Sequence, residues 1–334
     1  MRIGVLLRST RSRLPAAGLA AALLAAGPAR AHETWNEPGN VYLRLGVNAE
    51  YVNLPEVHGI IDVLRDSAGH TDDTFWMQGL HGVLGFVDTS GLNLPDPFGQ
   101  NARIEARLTY LKGDSDATEN NPLPLGVTPV DVPTMGAFGT FVPSTALFET
   151  DLETWEADLL YQTDIPLLGR LVFSPLVGLT YTRVDLDNEF KIAVGGLLVP
   201  FSIKDDLTTD YYGLALGGDL VARPVDFLEL RLGVRGDLMG ADADLDVDQQ
   251  VLGARHQSDD DADFAARGTA SLGMTLRVRR LELGVEAYAR YLSYMPVAEH
   301  PLSDGAFTPA DSPSRIDDKD LWSMGWKARI GFWF

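Results

Sequence analysis

The densest chemistry in this chain is carboxylate. Asp242-Ala243-Asp244-Leu245-Asp246-Val247-Asp248 places an acid at every second position, and Asp259-Asp260-Asp261-Ala262-Asp263 follows beyond Gly253. As an extended strand the first run shows its four carboxylates on one face and Ala243, Leu245 and Val247 on the other. Pairing the two runs as arms of one hairpin sets like charges opposite each other, which costs stability unless cations intervene. Calcium, with about six to eight oxygen ligands, suits such a set. Asp242, Asp244, Asp246, Asp248, Asp260 and Asp261 are then its candidate ligands. The glycine and final glutamate that define an EF-hand loop are missing, so a solvated acidic loop with a loose counterion cloud stands beside the calcium reading. No other cofactor is indicated.

Histidine beside carboxylate is the second chemistry to weigh, since such a pair can activate water. His256 stands near Asp259, His70 near Asp72 and Asp73, and His300 near Glu299, all in acid-rich segments where such neighbours arise by chance. His81 lies within a strand-like stretch, where a satisfied polar contact is the commoner role. Neither G-x-S-x-G nor H-E-x-x-H occurs, and without cysteine there is no thiolate nucleophile, thiolate metal site or disulfide. The sequence therefore reads as non-enzymatic.

A third set of charges is spread through regular alternation. Leu228, Leu230, Leu232 and Val234 alternate with Glu229, Arg231, Gly233 and Arg235, and Leu281 to Tyr291 alternates with Glu282, Glu286 and Arg290. Period two is the signature of a strand with unlike faces. About ten such strands can be drawn (eight to twelve allowed), near 41–51, 75–87, 102–112, 152–163, 171–183, 207–222, 228–239, 264–278, 281–294 and 321–334. Each has the roughly 9–11 residues, or somewhat more, with which a tilted strand crosses a membrane. No stretch past residue 40 has the about 18 consecutive apolar residues of a spanning helix. Short connections alternate with long ones, which predicts an all-β, closed, antiparallel transmembrane barrel with short periplasmic turns and long acidic extracellular loops. A soluble sandwich would alternate too, but with short connections at both ends.

On that scheme the charged residues face the lumen. The inward set includes Arg44, Arg103, Glu105, Arg107, Glu229, Arg231, Arg235, Arg267, Glu282, Glu286, Arg290, Lys327 and Arg329. Either they interlock as ion pairs that plug the bore, or they line a narrow aqueous pore. Barrels of about eight strands are filled by side chains and open channels appear near sixteen, which favours the plug.

The amino terminus is a separate element. Arg2, Arg8, Arg11 and Arg13, an apolar stretch from Leu14 to Gly27, and Ala29-Arg30-Ala31 follow the order of a secretory signal peptide, giving a signal over 1–31 and a barrel over 32–334. The formal charge of −20 for the chain becomes −25 once those five arginines are removed, and the long connections carry it. Such a balance excludes phosphate-neutralising nucleic-acid binding. The hydrophobic content of 45% excludes disorder.

The last strand, Trp326-Lys327-Ala328-Arg329-Ile330-Gly331-Phe332-Trp333-Phe334, resembles those of the Gram-negative outer-membrane β-barrel superfamily. The terminal Phe334, with Trp326, Ile330 and Phe332 on its face, looks like the signal read by the barrel-assembly machinery. In size the chain is similar to omptin-type barrels, and in closed-lumen logic to OmpA and opacity-type proteins. The resemblance implies residence in the cell outer membrane, with outer-membrane lipid, lipopolysaccharide and the assembly machinery as partners. The sequence leaves the oligomeric state open. The leading functional expectation is a structural or surface-interaction barrel without enzymatic activity. A small cation-preferring diffusion channel is the alternative, and a surface hydrolase of omptin or lipid A-modifying type comes after it.

Overall fold

A sheet whose faces differ must hide one of them, and closing it on itself does so without leaving an edge. The computed structural model describes residues 41–54, 58–62, 67–70, 74–87, 102–121, 128–132, 136–140, 144–168, 170–194, 197–250, 254–299 and 314–334. The proposed signal at 1–31 lies outside them. Ten strands form the barrel: β1 (Val41–Asn53), β2 (Thr74–Val87), β3 (Arg103–Asn121), β4 (Ser144–Gln162) and β5 (Leu171–Val194), then β6 (Leu197–Val225), β7 (Leu228–Gln250), β8 (Ala254–Val278), β9 (Leu281–Glu299) and β10 (Arg315–Trp333). Each pairs antiparallel with the next. β10 pairs with β1 from Tyr42↔Trp333 to Asn53↔Trp322, which closes the ring.

Ile165–Leu168 folds back on β5 as an eleventh strand of the same sheet. Parts of the β1–β2 and β3–β4 connections pair with each other in a separate four-stranded sheet, in the order Ser67–His70, His58–Asp62, Thr128–Val132, Gly136–Thr140. The alternation gave no sign of that sheet, because its strands have only 4 or 5 residues each.

The expected strand boundaries need correction at one end. Eight of the ten run well past them: β7 ends at Gln250 rather than 239, β5 at Val194 rather than 183, and β8 begins at Ala254 rather than 264. Much of what reads as long loop is thus continuous strand. On β7 the side chains of Leu230, Leu232, Val234 and Leu238 point outward, followed in the same phase by Asp242, Asp244, Asp246 and Asp248. The inward series is Glu229, Arg231, Arg235 and Asp237, then Met239, Ala241, Ala243, Leu245 and Val247. The phase never changes, but the two faces exchange chemistry.

An aromatic ring marks the exchange. Tyr51 stacks on Trp76, Tyr110 on Trp155 and Tyr291 on Trp322, with ring centroids 5.5, 4.5 and 4.7 Å apart. Tyr181 pairs with Tyr212 in register, and Gly240 links Tyr212 to Phe264. Below this ring the outer wall exposes leucine, valine and methionine, with Leu232 53% accessible. From Tyr181 down to the outward Phe173 is nine residues of β5, about what a tilted strand needs to cross an apolar band roughly 25 Å tall.

Candidate functional site: a charged lumen beneath an apolar cap

Inward positions below the ring carry charge because the strand pattern puts arginine and glutamate there, and burial obliges them to find partners. At the short-turn end Arg44 reaches Glu282 with Nε at 2.8 Å and Glu105 with Nη1 at 3.4 Å. Tyr42 donates its hydroxyl proton to Glu105, and Gly85 supplies the space for the Tyr42 ring, since a Cβ there would meet it. Arg107 holds the other Glu105 oxygen at 2.5 Å, and Arg103 donates to Gln162 at 2.7 Å. Glu282 also receives Arg277 at 3.5 Å and the Trp333 indole N–H at 3.3 Å. Arg231 bridges Glu229 at 2.9 Å and Asp219 at 3.4 Å. Arg329 donates to Glu286 at 3.4 Å.

The middle tier spans the bore. Arg235 on β7 clasps Asp158 on β4 through both terminal nitrogens, at 2.7 and 2.8 Å, with Nε 2.6 Å from Asp237. Arg267 on β8 joins Asp237 at 2.7 Å to Glu156 on β4 at 3.0 Å and donates to Thr180 and Thr182. Arg290 on β9 also reaches Glu156, at 2.6 Å. In the sheet β4 neighbours only β3 and β5, so these pairs cross the lumen. Higher still, Glu50 accepts from Tyr288 at 2.7 Å and from Ser323 at 2.5 Å.

An apolar cap lies above the ionic tiers. Val52, Met77, Leu111, Leu152, Leu186, Leu207, Tyr211, Met239, Leu245, Leu292 and Met295 belong to one buried cluster, with Leu321 packed against it. The Tyr211 hydroxyl donates to the carbonyl of Tyr294 at 3.0 Å. Sequence reading misses this cap because Val52, Leu186, Leu245 and Met295 fall in its long connections and the other members stand only at the ends of its spanning strands. The signal was present as Ala243, Leu245 and Val247 alternating with the aspartates.

Outside the cap the wall is acidic. Asp114, Asp151, Asp187, Asp206 and Asp246 are successive register partners across β3 to β7. Burial first, then the hydrogen-bonded neighbour Asp206, pushes the Asp187 carboxyl up to about 6. Asp116, one row higher, is raised by partial burial and then by Glu149, Asp114 and Asp151.

The six candidate calcium ligands do not converge. Asp242, Asp244, Asp246 and Asp248 are strung along β7 at alternate positions, roughly 7 Å apart. Asp260 opposes Asp244, whereas Asp261 opposes the inward Ala243 and accepts from the Tyr294 hydroxyl at 2.8 Å. Among the described residues no three His, Asp or Glu side chains are grouped to hold an ion.

The histidines are equally dispersed. His256 lies on the outer wall, 3.0 Å from Asp248 and 3.6 Å from Asp246 rather than beside Asp259. His81 is buried in the lumen with Nδ1 3.0 Å from the Thr109 hydroxyl. The side chains of His70, Asp72, Asp73 and His300 lie outside the described residues. In the last strand Trp326, Ile330, Phe332 and Phe334 share the outward face, and the Phe334 amide donates to the Val41 carbonyl at 2.8 Å.

No protein-family model matches the chain, and no curated protein does either. Among solved structures it is similar to the outer membrane protease OmpT from Escherichia coli, at 10% identity and a TM-score of 0.48, covering 90% of this chain and 100% of that one. A Pseudomonas aeruginosa FadL homologue follows at 12% identity and a TM-score of 0.29, covering 88% and 90%. A mutant of the TodX monoaromatic hydrocarbon channel matches at 9% identity and a TM-score of 0.31, covering 90% and 91%. Likenesses this distant say nothing of what the chain does.

Proposed function

We propose that this chain is an integral outer-membrane barrel with a closed lumen, serving a structural or surface-interaction role rather than catalysis. The observation that carries the reading is the exchange of chemistry between the two faces at the aromatic ring. Below it, an exposed apolar wall encloses ion pairs, which suits hydrocarbon outside. Above it, an acidic wall encloses an apolar core, which suits a polar medium. The cross-lumen pairs Arg235–Asp158 and Arg267–Glu156, topped by the apolar cap, support a closed bore. The outward row from Asp114 to Asp246 stands where the headgroups of lipopolysaccharide would meet the wall. Like charges set side by side favour shared divalent cations such as calcium between protein and lipid phosphate. The outward face of β10, ending in Phe334, is the segment offered to the assembly machinery.

Single-channel recording in planar bilayers tests the closed lumen. The expected result is silence. Stable openings with cation preference would overturn it in favour of a diffusion channel, and turnover of peptide or lipid A substrates would overturn the non-enzymatic part.

A further inference from the structure

The ionic tier is not completely packed. A cavity of about 90 Å³ remains within it, and its lining includes eight cationic side chains against six carboxylates. Seven of those cations, all arginines, have a carboxylate within ion-pair distance. The eighth, Lys327, does not. Among the described residues its Nζ has the Tyr288 ring at 4.8 Å, while its register partner Glu286 is engaged by Arg329. The buried Nε groups of Arg231 and Arg290 also lack a hydrogen-bonded acceptor, and that of Arg329 has only Glu282, at 3.8 Å. Glu282, Glu229 and Glu50 reach lining arginines from outside the cavity, but the Lys327 ammonium has no carboxylate at contact distance, a costly state in a water-poor interior that a small anion would relieve.

The position of the cavity says how an anion would reach it. The apolar cap closes the upper side. At the short-turn end a second cavity of about 400 Å³ is lined by Arg170, Arg223 and Arg277 against Asp226 and Glu229. Glu229, which lines this mouth, is paired with Arg231, which lines the inner cavity, so the two cavities approach each other at this end.

We propose that the lumen is a blind anion-accepting compartment, filled from the short-turn end, in which Lys327 and Arg329 hold one inorganic anion no larger than phosphate. Its interior thus prefers the opposite sign from the acidic rim above. The inference stands independently of the membrane reading, because it concerns the inside of the barrel alone.

Calorimetric titration of the whole barrel tests it. The protein is refolded in detergent with sodium gluconate, an anion too bulky for the cavity, and titrated with sodium phosphate and with sodium bromide at constant ionic strength. One saturable site is expected, weakened at least tenfold in Lys327→Met and unchanged in Lys319→Met, a surface lysine paired with Asp317. Absence of saturable uptake by the wild-type barrel overturns the proposal, and so does wild-type binding by Lys327→Met. Should Lys327→Met fail to fold, bromide anomalous scattering from wild-type crystals decides: a peak beside the Lys327 Nζ supports the site, and an empty cavity overturns it. Silence in bilayer recording together with phosphate uptake distinguishes a blind compartment from a channel.

Discussion

Glu156 ties β4 to the far side of the bore, since Arg267 and Arg290 meet there from two strands. Removing it takes one of two carboxylates from each of two buried guanidinium groups, since Arg267 keeps Asp237 and Arg290 keeps Glu50. Glu156→Ala is expected to cost about 3 kcal/mol in urea unfolding of the refolded barrel, the low end of the penalty for breaking a buried pair from one side. Asp187 gives a different signature. With its carboxyl held near 6 against an ordinary value of 3.8, the folded barrel keeps a proton that the unfolded chain releases between about pH 4 and 6. Stability should therefore fall as pH rises through that window and level off above it. Asp187→Asn should flatten the slope, read from urea midpoints at pH 4.5 and 7. Calcium titration of the detergent-folded barrel without lipopolysaccharide is expected to give weak, non-saturating heats, because the aspartates of β7 stand apart. Alternation alone supplies the inward positions of Arg44, Glu105, Arg231, Arg267 and Lys327. It could not supply their partners, because a contact such as Arg235–Asp158 depends on which strands face each other across a closed ring.

The strand β7 carries the whole design in one element. Leu245 is 1% exposed and its neighbour Asp244 points outward. Leu245→Ala should cost about 2–5 kcal/mol by opening a cavity in the cap, whereas Asp244→Ala should stay within about 0.5 kcal/mol in urea unfolding. The lower half of β7 was legible because apolar residues outside and charges inside are the recognised pattern of a spanning strand. Its upper half reads from sequence as one arm of an acidic hairpin within a long connection, an arm that the register bears out, because the same alternation there has the acids outside. What was missing was a reason to expect the faces to exchange, and the Tyr212–Gly240–Phe264 register provides it. The Arg279-Arg280 turn was also readable as short. That Arg279 would adopt a φ of 57° was not, since glycine or asparagine is the usual occupant of that region.

At the scale of the molecule, closure and strand number followed from composition and spacing, while the cap and the small second sheet did not. The cap arises only when every strand from β1 to β9 contributes an inward residue at the same height, a coincidence invisible to any single segment. The aromatic ring carries a prediction at this scale. In vesicles whose acyl chains are brominated near the headgroup, fluorescence from Trp76, Trp155 and Trp322 should be quenched more than in vesicles brominated near the bilayer centre. Trp326, lower on the outer wall, should show the reverse. Tryptophan-to-phenylalanine variants separate the two groups.

In the proposed membrane setting, the row of carboxylates above the ring would also oppose withdrawal of the inserted barrel. In a bilayer, returning those acids through hydrocarbon would add a penalty for each of five adjacent strands, while the leucine wall below would lose its solvent at the same moment. The same side chains that set the depth of the barrel would thus act as a latch against withdrawal, with a holding strength that grows with every strand zipped into the wall.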